Sequence, residues 1–103
     1  MTTIVYNTVT LNIPDRYVND NLMNRFKKQT YEKDELTLIN NFKETDNVLE
    51  LGSCLGFLSV LVSKKVNNII SIEGNPELII SLNKTKLDNK CNNLHFKNTI
   101  VDK

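Results

Sequence analysis

Two short stretches of this sequence could do chemistry. VLELGSCLGFLSV, residues 48 to 60, runs from apolar residues into Glu50, then Gly52 and Gly56, before the apolar pattern resumes. ISIEGNPEL, residues 70 to 78, places Glu73 at the end of a second apolar run. Glycine after a strand lets a ligand approach the backbone with no side chain in the way. Gly56 permits close packing where a helix starts, and the free N–H groups of such a start favour an anionic group. A carboxylate at the end of the next strand can accept both hydroxyls of a ribose. It lies about 20 residues beyond the glycine turn, which fits that geometry. Each feature has a plainer reading, since glycine turns occur in sheets that bind nothing and Glu73 alone could be a solvated loop residue. Their combination is more specific.

These residues need a scaffold of strands and helices. Three apolar runs of strand length, Val48 to Leu51, Ile69 to Ile72 and Leu94 to Phe96, are separated by helix-like segments at roughly 56 to 65 and 76 to 89. The second helix has a good start, with Asn75 as N-cap, Pro76 first and Glu77 next. Leu78, Ile79, Leu82 and Leu87 offer it an apolar face. Alternating strands and helices imply right-handed crossovers and a parallel sheet. Upstream, TVTLNI (8 to 13) alternates like a half-buried strand, and Ile4 to Tyr6 could pair with it as a hairpin. Pro14 stops it. Val18, Leu22 and Phe26 suggest an amphipathic helix over 15 to 28. Thr30 can cap another, with Glu32, Asp34 and Glu35 in its first turns and Leu36, Ile39 and Phe42 on its buried side. ETDN, 44 to 47, reads as a turn.

The turn also narrows the ligand. A dinucleotide site carries GxGxxG, but Cys54 stands at the third position here, where a side chain would crowd a pyrophosphate. A Walker lysine is absent. A nucleoside without phosphates and with a carboxylate tail remains, and S-adenosylmethionine has that shape.

Composition sets outer limits. The chain has 103 residues, 40% hydrophobic, with a formal net charge of +1. That suits one domain with a modest core. Basic and acidic residues are mixed, unlike the basic stripe of a nucleic-acid binder. No apolar run is long enough to span a membrane, and no signal pattern opens the chain, so the expected setting is cytoplasmic. Cys54 and Cys91 lie far apart without a CxxC or a histidine cluster, which predicts reduced thiols and no metal site. Cys54 reads as a small buried thiol, Cys91 as exposed. Asparagine and lysine abound while alanine is absent, the mark of an AT-rich coding sequence. Pairs such as Asn67-Asn68 and Asn92-Asn93 therefore read as solvated turn residues.

LELGSCLGFLS resembles the acid-x-Gly-x-x-x-Gly motif of class I S-adenosylmethionine-dependent methyltransferases, and it looks most like the FkbM branch. IEGNPEL resembles that branch's segment after the second strand. YEKDELTLINNFKETDNVLELG resembles the helix before the motif, and LNKTKLDN with LHFKNTIVD the next helix and strand. The likeness runs from about residue 28 to residue 102. Ser53-Cys54 stands where the branch has Ala-Asn, and Gly74 where it has proline. The resemblance implies a truncated Rossmann-like α/β fold. Its N-terminal hairpin and helices would be residues 1–45, and an S-adenosylmethionine-binding βαβαβ core would be residues 46–103.

Roles follow from the same resemblance. Gly52, Ser53, Cys54 and Gly56 would form the loop under the methionine part. Glu50 would order that loop and the ligand's ammonium group. Glu73 would hold the ribose, with Gly74 and Asn75 beside the adenosine and Asn98, Thr99 and Ile100 bordering the adenine. The resemblance also implies O-methyl transfer to a small-molecule or sugar acceptor, and the mixed charge and the lack of a spanning run lead us to expect no nucleic-acid or membrane partner. No catalytic base is assigned. His95, the only histidine, reads as a packing or surface residue. Tyr31-Glu32 and Tyr17 could line a substrate entrance. The family's sheet continues past the point where this chain stops. The chain would then be part of a longer enzyme, or pair its exposed sheet edge with a second copy, or be a stand-alone binding domain or a remnant.

Overall fold

Tyr6 and Val9 are joined by Asn7 and Thr8, both at positive φ (47° and 70°). That two-residue turn has the twist a tight hairpin needs. It links β1 (Thr2–Tyr6) to β2 (Val9–Ile13) in an antiparallel pair. The computed structural model describes residues 1–100. Positions 101 to 103, the end of the stretch assigned above to the cofactor-binding core, lie outside the described residues.

Downstream of the hairpin, the expected helix over 15 to 28 is divided. A 3-10 turn at Asp15–Tyr17 precedes α1 (Asp20–Lys27), whose first turn is capped by Asn19 accepting from the Leu22 N–H. An asparagine cap stops the helix from extending back to residue 15. The helix expected after Thr30 does not form. Tyr31 is buried, Glu32 takes a positive φ of 53°, and a 3-10 segment runs over Glu35–Asn41. Tertiary contact decides this. Tyr31 joins Tyr6, Phe26 and Phe57 in an aromatic cluster, with ring centres 4.8 to 5.9 Å apart. Its own carbonyl accepts from the Tyr6 hydroxyl at 2.9 Å.

The alternating half follows the sequence closely. β3 (Asn47–Leu51), β4 (Asn68–Glu73) and β5 (Leu94–Asn98) form a parallel sheet in the order β3-β4-β5. α2 (Phe57–Ser63) and α3 (Pro76–Asp88) make the crossovers. Ile69 and Leu94, cross-strand neighbours, are fully buried, and Val9, Leu11 and Ile13 of the hairpin belong to the same apolar core. Burying each such side chain is worth about 1.5–3 kcal/mol. The opposite side of β3 is open, with Leu49 and Leu51 each 61% exposed. Among the described residues, β3 is an edge strand.

α3 buries Leu78, Ser81, Leu82 and Thr85. Leu87, expected on that face, is 73% exposed. It lies nine positions after Leu78, and at about 100° per residue that is half a turn away.

The hairpin docks on α3 through side-chain amides. Asn12 is buried. Its N–H donates to Thr85 Oγ1 at 2.9 Å, and its Nδ2 to Asp88 at 2.8 Å. Asn89 at the end of α3 engages both backbone groups of Thr10. Its Oδ1 accepts from the Thr10 N–H at 2.9 Å, and its Nδ2 donates to the Thr10 carbonyl at 2.7 Å. Asn93 donates to the carbonyls of Ser63 and Val66. Such asparagines are cross-links, which corrects the reading of Asn93 as a solvated turn residue, while Asn92 beside it is an exposed turn residue as expected. Asn89→Ala should cost about 1–3 kcal/mol, because it strands a partly buried donor and acceptor. Urea unfolding would show it, beside Asn83→Ala on the exposed side of α3 as a neutral control.

Candidate functional site

Chain direction in a parallel sheet brings the ends of β3, β4 and β5 to one edge, the side on which open α/β sheets bind ligands. Gly52 continues the ladder for one residue, its N–H bonding the Ile72 carbonyl at 2.8 Å. The chain then turns sharply. Gly52, Cys54 and Gly56 all have positive φ, at 90°, 52° and 87°. A Cβ on Gly52 would meet nothing within 4 Å, so the space above it is open. One on Gly56 would stand 2.9 Å from a methyl of Leu82. Glycine is therefore needed at Gly56 for both conformation and room. α2 begins at Phe57 and has only seven residues.

Glu73 ties this loop to the next. Its Oε1 accepts from the Cys54 N–H at 3.2 Å, and its Oε2 from the Asn75 N–H at 2.9 Å. A carboxylate has about four acceptor sites, so it can take two further donors. Gly74 sits between, with Ile100 Cγ1 3.7 Å from where its Cβ would be. The Asn75 side chain is occupied at both ends. Its Oδ1 caps α3 by accepting from the Glu77 N–H at 3.0 Å, and its Nδ2 donates to the Tyr17 hydroxyl at 2.8 Å. Asn98 donates to the Glu73 carbonyl at 3.0 Å, and Thr99 follows it, exposed. The residues singled out as a cofactor site thus lie at three adjacent strand ends and the turns that follow them.

Glu50 points into the structure. It accepts from the hydroxyls of Ser59 on α2 and Ser71 on β4. Ser71 is fully buried and 2.5 Å from the buried Ser53 hydroxyl. A hydroxyl has one proton. Ser71 gives its own to Glu50, so Ser53 donates to Ser71, and Glu50 reaches the loop through that chain. Sequence reasoning missed both Ser59 and Ser71. A signal existed, since Ser71 interrupts an apolar strand run and pairs in register with Glu50.

Other expectations are corrected. Cys54 is exposed and Cys91 buried, the reverse of the sequence reading. The tight turn lifts Cys54 onto the surface, while Cys91, within the loop from α3 to β5, joins the apolar core. Tyr31 is core and lines no entrance. Tyr17, by contrast, touches the site through Asn75. His95 is exposed. No described helix is long and apolar enough to cross a membrane.

Negative charge gathers at the loop. Although Cys54 reaches the surface, its thiol is partly shielded from water by the turn, which pushes it up, and the carboxylates of Glu32, Glu73 and Glu50 push it further. Burial also raises Glu50 above 4.5, against the hydrogen bonds from Ser59 and Ser71. Folded Glu50 therefore holds its proton to higher pH than the unfolded chain does. Stability from this group is present at low pH and lost as pH rises from 4.5 through the raised folded value. Glu50→Gln keeps an acceptor oxygen and removes the charge. It should gain on the wild type as pH rises toward neutrality in denaturant unfolding, and parallel stability curves would refute this.

No family model matches the chain. It is similar to the 23S rRNA (uracil(1939)-C(5))-methyltransferase RlmD of Pasteurella multocida (strain Pm70), 32% identical over 57 residues, or 55% of this chain and 13% of that protein. A dimethyladenosine transferase structure from Plasmodium falciparum is 27% identical with a TM-score of 0.58, over 68% of this chain and 27% of that one. Trm5b from Pyrococcus abyssi is 19% identical with a TM-score of 0.71, over 96% of this chain and 28% of that one. The chain thus spans 13% of its curated relative's length and 27% to 28% of these structures. The expectation of a small-molecule acceptor and no nucleic-acid partner is overturned here, because the curated relative is an rRNA methyltransferase. Mixed charge was a poor guide, since a relative's RNA-binding surface need not lie in the small part that this chain spans. The described residues have the Rossmann-like α/β fold of class I S-adenosylmethionine-dependent methyltransferases.

Proposed function

We propose that this chain is the cofactor-binding part of an S-adenosylmethionine-dependent methyltransferase, one partial domain in which residues 46–103 hold the cofactor and residues 1–45 brace it. The observation that carries the reading is Glu73, joined through the Cys54 N–H to a glycine turn on the neighbouring strand. The residues present fit the ligand. Glu73 has acceptor capacity left for two ribose hydroxyls. The open space at Gly52 admits a chain against the backbone. Glu32, Glu50 and Glu73 surround the loop with negative charge, which favours a ligand carrying a sulfonium and an ammonium.

When bound, S-adenosylmethionine supplies an electrophilic methyl group on a sulfonium. The share of this chain is to hold that group in line with an acceptor, a contribution made by positioning. Glu73 fixes the ribose end. Gly52, Ser53, Cys54 and Gly56 carry the other end, their shape held by the Ser53–Ser71–Glu50 chain. Gly74, Asn75, Asn98 and Thr99 flank the nucleoside. In this reading the acceptor is RNA, by analogy with the rRNA methyltransferase to which the chain is similar. An FkbM-like branch is a finer form of the proposal, carried by its motif order alone. A cytoplasmic setting belongs to the same reading, as Cys54 and Cys91 are both free thiols.

Calorimetric titration with S-adenosylhomocysteine tests the proposal. The wild type should bind, and Glu73→Ala should weaken binding by about 1.5–3 kcal/mol, the range for hydrogen bonds to a charged group. A folded wild type that does not bind would sink it.

A further inference from the structure

The N-terminal 3-10 turn is attached to the strand-end site by a closed set of polar contacts. Tyr17 Oη accepts from Asn75 Nδ2 at 2.8 Å and from the Arg16 guanidinium at 3.2 Å. The same guanidinium lies 5.1 Å from the Tyr17 ring centre and forms an ion pair with Glu77 on the first turn of α3. Asn75 lies between. Its Oδ1 is committed to the Glu77 N–H as the helix cap, so its Nδ2 must face outward, where Tyr17 meets it. Its own N–H donates to Glu73 Oε2. A continuous path runs from the Tyr17 hydroxyl, through the Asn75 amide and backbone, to the carboxylate that would meet the ribose.

We propose that Tyr17 is a positioning residue that holds Glu73 in its ribose-accepting orientation through Asn75, an inference that rests on the cofactor reading above. The mechanism is geometric. Glu73 is the last residue of β4, and its second oxygen is oriented by a single N–H, that of Asn75. Rotation of the Asn75 peptide would swing that N–H away and let the carboxylate turn. The cap holds one end of the Asn75 side chain and Tyr17 the other. Residues 1–45 would thereby contribute to cofactor affinity without touching the cofactor.

The test uses the 103-residue chain and two ligands, S-adenosylhomocysteine and its 2′,3′-dideoxy analogue. Tyr17→Phe keeps the ring beneath Arg16 and removes the acceptor. It should weaken S-adenosylhomocysteine by about 3- to 10-fold, the span of one net hydrogen bond. The dideoxy analogue, which offers Glu73 no hydroxyls, should bind wild type and variant equally. Asn75→Ser keeps a capping oxygen and removes Nδ2. It should lose the same factor, with no further loss in the double variant, and it tests the path independently should Tyr17→Phe unfold. Equal binding of S-adenosylhomocysteine by wild type and variants would overturn the inference and leave the cofactor reading standing. So would a loss that falls alike on both ligands, which is what general loosening produces. A folded wild type that binds neither ligand would overturn the cofactor reading and this inference together.

Discussion

The parallel register of β3 on β4 is the constraint on which the site depends. It sets Glu50 opposite Ser71 and leaves Gly52 bonded to Ile72 as the two strands end. From that alignment the Cys54 N–H reaches Glu73, and Ser53 reaches Ser71. A slip of one residue would turn Glu50 to the open side of the sheet and bring Leu49 and Leu51 inward. The loop between the strands would then lose both of its anchors.

What holds this register is unevenly distributed. One side of the sheet packs on α2 and α3, with Ile69 and Leu94 fully buried, and the hairpin packs on those helices in turn. That apolar burial supplies most of the driving force, as it does in most folds. It is non-directional, however, and polar contacts add the specificity. Asn89 pairs with both backbone groups of Thr10, Asn12 with Thr85 and Asp88, and Asn93 with the end of α2. A chain without alanine and rich in asparagine has used side-chain amides as cross-links between elements.

The same polar economy operates at the strand ends. Glu50 is partly buried and satisfied by hydroxyls, so it acts on the loop from beneath. Glu73 is held at the loop surface by two backbone N–H groups with acceptor capacity to spare. Two carboxylates on adjacent strands, near in space, are thus given different environments and different work. The N-terminal turn adds a third connection through Tyr17 and Asn75.

Much of this was written locally. Hairpin, alternating strands and helices, the Asn75-Pro76 cap, the glycine turn and Glu73 all follow from short patterns whose causes lie within a few residues: pleat, helical period, capping and φ. The sequence by itself therefore determined the α/β order and the ends of the strands where a ligand would sit. Only tertiary structure decided how the irregular parts closed. Tyr31 left its expected helix start because three aromatic rings were available to bury it. Cys54 and Cys91 exchanged exposure because a positive-φ turn lifts one while the packing of α3 on β5 covers the other. Ser59, Ser71 and Tyr17 acquired their places from partners 9, 21 and 58 residues away in the chain. Contacts at such separations depend on how whole elements pack; a local pattern can mark a residue, as the break in the apolar run marks Ser71, but cannot name its partner.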